Sequence, residues 1–287
     1  MLHIIPKKWN VIFHPLFCTL ALPIALTQIQ WVLSLVSMMI TMCRLMGYVS
    51  EDKSHFSTLA GPAFSNFVEL SSIHCDGWGI ATINKNEKVA HLDKAAEQAD
   101  TSDQFDLALS RSESDGALLH LRWATKGLPV SENNAHPFTY AGFSFIHNGA
   151  IYPADALNSL IAPHFLGEIT GNTDSESYFF LLLTEIEKLG LVEGIQSGIR
   201  AIKESADYSS INAMLMNEKF MAVICEHDPL RKPDFGAADY YELKYKNDGK
   251  SVIVASSGWD QADWVSLANH HIMVVNRESL EISVFPI

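Results

Sequence analysis

One cysteine, Cys43, directly follows a methionine at the point where an apolar leader gives way to an ordinary globular sequence. We expect Cys43 to be the first residue of the mature protein. Such a residue carries a thiol and an α-amine whose ordinary pKa is about 7.7–8.0. The amine can accept the thiol proton, directly or through one water, and return it to a leaving amine. The alternative is that Cys43 is a small buried hydrophobe on a first strand, the commoner fate of a free cysteine.

A guanidinium, that of Arg122, ends a nearly continuous apolar run and is followed by Trp123. Strand ends are where sheets present ligand-binding groups, and a planar guanidinium suits bidentate capture of a carboxylate. The alternative is a local packing pair in which Arg122 stacks on Trp123. Close behind, His136 lies in a Pro-terminated loop, where it can orient a substrate or the turn that holds Arg122, or be purely structural.

The segment 147–149, His-Asn-Gly, ends another predicted strand. Asn-Gly is a strong hairpin signal. The functional alternative is an oxyanion hole, in which the Asn148 side-chain amide and the Gly149 backbone N–H face the oxygen of a tetrahedral intermediate. Removing one such donor usually lowers the rate about a hundred- to a thousandfold.

Two further motifs allow both a structural and a functional interpretation. In Thr-Asp-Ser-Glu at 173–176, the first and last residues fit a capping box at a helix start, while Asp174 can bind an ammonium group. In Asp-Gly-Trp-Gly at 76–79, Gly77 and Trp78 belong to a glycine-rich turn into a strand, which also allows the backbone to approach a ligand closely.

Taken in order, six motifs resemble the class II glutamine amidotransferases, which are N-terminal-nucleophile hydrolases. They are Met-Cys at 42–43, Asp-Gly-Trp-Gly at 76–79, Arg-Trp-Ala-Thr-x-Gly at 122–127, Asn-Ala-His-Pro at 134–137, His-Asn-Gly at 147–149 and Thr-Asp-Ser-Glu at 173–176. The resemblance covers residues 43–287, and the specific motifs are concentrated in 43–180.

The resemblance implies a mixed α/β fold, a four-layer α/β/β/α sandwich, with Cys43 acylated at the γ-carbonyl of its substrate. Arg122 and Asp174 would hold the α-carboxylate and α-ammonium of glutamine. Asn148 and Gly149 would form the oxyanion hole. The remaining residues expected at the substrate site are Trp123, His136, Gly77 and Trp78. Ammonia leaves, water hydrolyses the γ-glutamyl thioester, and no cofactor or metal is expected.

The elements that must position these residues are strands at both ends of the domain with helices between them. We expect strands at 44–49, 77–83, 117–125, 143–147, 212–216, 220–225, 240–245, 251–255, 270–275 and 279–285. Helices are expected at 57–70, broken at Gly61-Pro62, at 93–115, at about 153–161, at 174–189 and at about 192–205. This order predicts two packed sheets with helices outside.

Residues 1–42 form a hydrophobic leader without formal charge after Lys8, and we expect residues 43–287 to be one domain. The leader can be a membrane span or an uncleaved signal anchor. Pro15 and Pro23 interrupt its apolar run, and a retained span would leave no free amine at Cys43. We favour translation from Met42 with removal of that methionine.

Composition excludes some classes of protein. The chain is 48% hydrophobic with a net charge of −13, and this acidic balance argues against nucleic acid as a partner. The four cysteines, Cys18, Cys43, Cys75 and Cys225, form no Cys-x-x-Cys pair, which favours a reducing cytoplasm over a disulfide or zinc framework. No histidine spacing predicts a metal ligand set, which disfavours a metal hydrolase.

The sequence therefore predicts a cytoplasmic hydrolase of γ-glutamyl amides. Its substrate is either glutamine, with ammonia passed to a synthetase partner, or a γ-glutamyl conjugate. No second domain is expected after residue 287, so the chain resembles the short, free-standing branch of the family. The alternative is a non-catalytic amino-acid-binding protein that keeps its leader as a membrane anchor.

Overall fold

The computed structural model describes residues 43–124, 129–233 and 237–287. The predicted leader and the part of the arginine motif at 125–127 lie outside the described residues. The strands are β1 (Arg44–Ser54), β2 (Gly77–Thr82), β3 (His91–Ala95), β4 (Ser114–Arg122), β5 (Phe138–Tyr140), β6 (Phe143–Tyr152), β7 (Asp207–Met216), β8 (Phe220–Cys225), β9 (Leu243–Asn247), β10 (Ser251–Ser256), β11 (Val265–Leu267), β12 (His271–Asn276) and β13 (Ile282–Pro286).

The α-helices are α1 (Phe56–Ala60), α2 (Phe64–Glu69), α3 (Asp103–Arg111), α4 (Pro163–Leu166), α5 (Asp174–Leu189) and α6 (Leu191–Ser205). Short 3₁₀ helices cover Gly61–Ala63, Leu70–Ser72, Ala99–Thr101, Glu132–Asn134, Asn158–Leu160 and Pro229–Arg231. None of the helices in the described part of the chain is long and apolar enough to cross a membrane.

The strands form two antiparallel sheets that stack face to face. The first has seven strands in the order β11-β9-β10-β1-β4-β2-β3, and the second has six in the order β13-β12-β8-β7-β6-β5. Both sheets contribute apolar side chains to the layer between them, for example Leu45 and Leu118 from the first and Ile146 and Met214 from the second.

Helices cover the outer face of each sheet. Phe56, Phe67 and Phe105 from α1, α2 and α3 pack on the first sheet, and a larger cluster joins α5 and α6 to the second. The predicted four-layer α/β/β/α arrangement is confirmed. Alternation along each strand explains it, because successive side chains enter the inter-sheet layer and the helix-facing layer in turn.

Several predicted elements agree closely with the structure. Helix α5 begins and ends as predicted, β8 matches its predicted range, and the break at Gly61-Pro62 separates α1 from α2. The predicted turn at 247–249 joins β9 to β10.

Three predictions are wrong in part. Only 103–111 of the expected helix at 93–115 is α-helical, because residues up to Ala95 pair with β2 as strand β3 and β4 begins at Ser114; Ala99–Thr101 forms a 3₁₀ helix. Residues 153–161 form a turn and a 3₁₀ helix instead of an α-helix. Asn148 and Gly149 do not end β6, since they continue the ladder opposite Asn212 and Ile211.

Candidate active site

Cys43 stands immediately before β1, a central strand of the first sheet. It is buried, and its backbone nitrogen donates to Oδ1 of Asn148 on the second sheet at 2.9 Å. Its Sγ lies 3.8 Å from the carbonyl oxygen of Trp123, close enough for a weak S–H contact. The two sheets thus meet at this residue, with the thiol held at the end of β4.

Asn148 is oriented by that contact. Because its Oδ1 accepts from Cys43, the amide Nδ2 is left as a donor, and it has no hydrogen-bond partner among the described residues. Ser210 Oγ donates to the Asn148 carbonyl oxygen at 2.8 Å, which fixes the backbone on the other side. A buried donor without a partner is costly, so this nitrogen is set to meet an acceptor that a ligand supplies.

Gly149 follows in the same strand with a φ of 148°, a conformation that side chains rarely allow. A Cβ at this position would lie 1.8 Å from the carbonyl oxygen of Ser210. The close approach of β6 to β7 therefore requires glycine here. The hairpin interpretation of Asn-Gly is excluded, and its glycine serves the strand pairing instead.

Arg122 ends β4, and its guanidinium is buried. Nη2 donates to the Pro129 carbonyl oxygen at 3.3 Å, while Nη1 has no partner in the described part of the chain. Nearby, the Asp76 carboxylate accepts from the backbone N–H of Ala124 at 2.8 Å and so fixes the chain just after Trp123. One edge of the arginine fork is thus available to an anion.

Asp174 is the first residue of α5 and is also buried. Its Oδ2 accepts from the Ile151 backbone N–H at 2.7 Å. Thr173 caps the helix by accepting from the Glu176 N–H, but the Glu176 carboxylate accepts from the N–H groups of Thr170 and Gly171, so only half of the predicted capping box forms. The cap and the turn before it hold the Asp174 carboxylate in place.

Cys43, Gly149, Arg122 and Asp174 line one cleft with about 340 Å³ of atom-free space, including its open mouth, whereas Asn148 is buried behind the lining and contacts Cys43 from there. Its lining residues are Cys43, Arg122, Trp123, Ala124, Asn134, His136, His147, Gly149, Thr173, Asp174 and Ser175. A cation and a carboxylate on separate elements thus face the same space as the thiol. The arrangement suits a small ligand with a zwitterionic head group.

Three buried histidines adjoin the cleft. The rings of His120 and His136 are 4.2 Å apart between centroids, and His147 Nδ1 contacts Ser175 Oγ at 2.9 Å. Burial lowers the pKa of all three, to about 3 for His120 and well below the ordinary value for His136. They are therefore neutral at pH 7 and shape the cleft without adding charge.

Burial has the opposite effect on the acidic groups of the cleft. It raises the pKa of the Cys43 thiol to about 11, while the Trp123 backbone and the charges of Arg122 and Arg44 act against it. Burial also raises the pKa of Asp174, and His147 and the backbone N–H of Ile151 oppose that shift. The thiol is therefore protonated at neutral pH unless a base removes its proton.

Two predicted substrate residues lie outside the cleft lining. Trp78 sits in β2 with its side chain toward the helix layer, where its ring is 5.3 Å from that of Phe105, so substrate contact by this side chain is not supported. Gly77 pairs with Arg122 in the neighbouring strand and lies beside the cleft. Strand alternation explains the difference, because β2 directs Trp78 away from the second sheet.

Five residues of the cleft lining were not predicted as site residues: Ala124, Asn134, His147, Thr173 and Ser175. Asn134 connects two loops of the cleft, since its Nδ2 donates to the Pro129 carbonyl and its Oδ1 accepts from the Asn172 N–H. The signal for Asn134 was its place in the Asn-Ala-His-Pro motif. Among the described residues, no group of three His, Cys, Asp or Glu side chains is arranged to hold a metal ion.

Comparison with known proteins gives a family. The profile described as "Glutamine amidotransferases class-II" matches residues 42–284. The chain is 33% identical over 131 residues to the probable glutamine amidotransferase DUG3 of Saccharomyces cerevisiae, a match that covers 43% of this chain and 36% of that protein. It is 28% identical over 172 residues to the isomerizing glutamine–fructose-6-phosphate aminotransferase of Acinetobacter baylyi, covering 56% of this chain and 25% of that protein.

A solved structure supports the fold. A glutamine aminotransferase class-II domain protein from Silicibacter pomeroyi superposes with a TM-score of 0.61 at 16% identity, covering 85% of this chain and 99% of that one. The matches to DUG3 and to the isomerizing aminotransferase cover only 36% and 25% of those proteins.

Proposed function

Because the chain belongs to the class II glutamine amidotransferases, we propose that it hydrolyses a γ-glutamyl amide through a γ-glutamyl thioester on Cys43. The substrate is glutamine or a γ-glutamyl conjugate. The observation that carries the proposal is the 2.9 Å contact from the Cys43 backbone nitrogen to Asn148 Oδ1. This contact joins the nitrogen that would be the α-amine to Asn148, the residue whose side chain would donate a hydrogen bond to the oxyanion.

Substrate binding uses the two charges of the cleft. The free edge of Arg122 binds the α-carboxylate, and the Asp174 carboxylate binds the α-ammonium. An ammonium beside Asp174 also favours its ionised form, against the effect of burial. Holding the head group at two points directs the γ-carbonyl toward the thiol.

In the acylation step, the Cys43 amine takes the thiol proton while the sulfur attacks the γ-carbonyl carbon. The oxygen becomes an oxyanion that accepts from Asn148 Nδ2 and the Gly149 N–H. When the carbon–nitrogen bond breaks, the leaving amine receives the proton from the Cys43 ammonium. Ammonia, or the amine of a conjugate, then departs.

Deacylation repeats the same chemistry with water. The Cys43 amine accepts a proton from water as its oxygen attacks the thioester carbon, and the carbon–sulfur bond breaks. The thiol recovers its proton and glutamate leaves. The raised pKa of the buried thiol supports this assignment, because a thiol that is protonated at neutral pH requires a base within reach.

The fate of the ammonia and the location of the protein are part of the proposal. When glutamine is the substrate, we propose that the ammonia passes to a synthetase-type acceptor. When the substrate is a γ-glutamyl conjugate, no acceptor takes part. We assign the protein to the cytoplasm, since the three described cysteines, Cys43, Cys75 and Cys225, are all free thiols. The proposed mechanism also requires a mature chain that begins at Cys43, because the base is the free amine of that residue.

The test is glutamate release from glutamine and from γ-glutamyl peptides by protein expressed from the complete reading frame. We expect intact mass to give Cys43 as the first residue and a transient mass increase of one γ-glutamyl group. Cys43→Ala should abolish turnover with the fold intact, and Cys43→Ser should leave a trace. The exposed Cys75 provides a control, Cys75→Ala, which should stay active. Full turnover by Cys43→Ala would refute the proposal.

A further inference from the structure

The residue after the nucleophile, Arg44, is a buried cation. It is 4% exposed, although a guanidinium is usually solvated. Its Nη1 donates to the Cys43 carbonyl oxygen at 3.2 Å, and its guanidinium carbon lies 4.3 Å from the centroid of the Tyr240 ring. The aromatic face supplies part of the stabilisation that burial removes.

A glycine with a left-handed backbone lies beside this cation, at ordinary contact distance. Gly258 has a φ of 102°, and a Cβ there would lie 3.5 Å from Arg44 Nη2. No carboxylate among the described residues lies within the 4.0 Å of an ion pair with Arg44. Burying a cation without an anion is costly. Because no neighbouring carboxylate in the described part of the chain offsets the Arg44 charge, that charge acts on the groups nearest to it.

One chemically relevant group close to Arg44 is the Cys43 amino nitrogen. The nitrogen and carbonyl oxygen of one residue are at most about 3.7 Å apart, so Arg44 Nη1 lies within about 7 Å of that nitrogen. A positive charge at this distance disfavours the protonated amine, and a protonated amine cannot accept the thiol proton.

The remaining charges around Cys43 do not cancel this effect. Among the described residues, strand β4 supplies the cation Arg122 and α5 supplies the carboxylate Asp174, and both act on Cys43. His120 and His147 are neutral at pH 7 because burial lowers their pKa values, and Tyr240 is neutral because a tyrosine pKa is ordinarily about 10 and burial raises it further. Two cations and one carboxylate therefore act near Cys43. A bound substrate pairs its carboxylate with Arg122 and its ammonium with Asp174, which leaves Arg44 as the cation without an opposite charge.

We propose that Arg44 is a positioning residue that keeps the Cys43 amine in its neutral, proton-accepting form and fixes the adjoining carbonyl. The inference rests on the proposed function, since it assigns the base to the amine of Cys43. It adds a specific electrostatic role to a residue whose side chain lies behind the nucleophile and outside the cleft lining.

The test measures the amine directly and the reaction separately. In ¹⁵N-cysteine-labelled protein expressed from the complete reading frame, the pH dependence of the ¹⁵N chemical shift of the Cys43 amine, measured by NMR, gives the pKa of the amine without substrate. Arg44→Gln should raise it by about one unit. The acid limb of the kcat/KM profile should move equally, with about a tenfold loss at pH 6.5 that is largely recovered at pH 9.

Arg44→Lys keeps the charge and should leave the acid limb within about 0.3 units of the wild type. Arg200→Gln removes an exposed arginine on α6 and controls for net charge. A purely structural role would lower kcat/KM equally at every pH, and an unchanged amine pKa in Arg44→Gln would likewise overturn the inference. Intact mass showing residues before Cys43 would overturn it too. A shifted amine pKa in a protein that hydrolyses no γ-glutamyl amide would uphold the role of Arg44 and refute the proposed function.

Discussion

Burial raises the pKa of the Cys43 thiol to about 11, so at pH 7 only about one molecule in ten thousand would carry a free thiolate. Reactive cysteines more often have a lowered pKa. This cysteine therefore depends on a base that removes its proton during attack. Its nitrogen, the candidate base, contacts Oδ1 of Asn148, and Nδ2 of the same amide is the candidate oxyanion donor.

At the residue scale, Arg122→Lys tests the carboxylate site. Lysine keeps the charge but loses the planar fork, so we expect KM to rise about 10- to 100-fold with a smaller change in kcat. Steady-state kinetics with glutamine or the preferred γ-glutamyl peptide measures both constants. Arg200→Lys, at an exposed helix position, is the matched control. An unchanged KM would mean that Arg122 does not bind the carboxylate.

At the scale of elements, β6 organises the site by its alternation. His147 faces α5 and contacts Ser175, while the next residue, Asn148, faces the first sheet and contacts Cys43. Gly149 then allows β6 to approach β7 too closely for any side chain. Within three residues, β6 thus supplies a contact to α5 at His147, a side-chain donor at Asn148 and part of the cleft lining at Gly149.

Gly149→Ala tests the requirement for glycine in this strand. The backbone conformation and the close Ser210 carbonyl together should lower the free energy of unfolding by about 3 kcal/mol or more. Urea unfolding followed by circular dichroism measures the change. Gly167→Ala is the control, because a Cβ there meets nothing within 4 Å and should change stability by less than about 0.5 kcal/mol. Equal effects of both substitutions would contradict the argument.

At the scale of the whole molecule, the two stacked sheets bring together the ends of β1, β4 and β6 and the start of α5. The far end of β4 is joined to the second sheet by a buried ion pair between Asp115 and Arg277. Arg277 also donates to the carbonyl oxygens of Asn217 and Ile83. The stacking is therefore fixed at one end by this pair and at the other by the contact of Cys43 with Asn148.

The stacking also buries His120, His136 and His147 in neutral form, which makes stability depend on pH. Because their folded pKa values lie below the unfolded value of about 6.5, the unfolded chain binds more protons in acid. Stability should be constant above about pH 7 and fall from about pH 6.5 downward, by up to about 1.4 kcal/mol per pH unit for each histidine.

Urea unfolding at intervals between pH 5 and 7.5 measures this slope, above the range where most carboxylates titrate. His120→Gln should reduce the slope, whatever its effect on absolute stability. The remaining slope comes from His136, His147 and His227, whose pKa values burial also lowers. A flat profile between pH 5 and 6.5 would contradict the neutral burial of these histidines.

From the sequence we could predict the order of the motifs, the family they resemble, the buried strand that ends at Arg122 and the full extent of α5. These depend on local signals: an apolar run, a capping threonine and a glycine after the last helical residue. Local chemistry dictates such features because their causes lie within a few residues along the chain.

The direction in which the ambiguous residues point depends on long-range pairing and packing. Asn-Gly at 148–149 reads as a hairpin until β7 pairs with it, and Trp78 reads as a site residue until the register of β2 directs it into the helix layer. Arg44 gave no sequence signal, because its aromatic partner lies about two hundred residues away. Strand register and sheet stacking are long-range choices, and a shift of one residue would exchange the two faces of every strand.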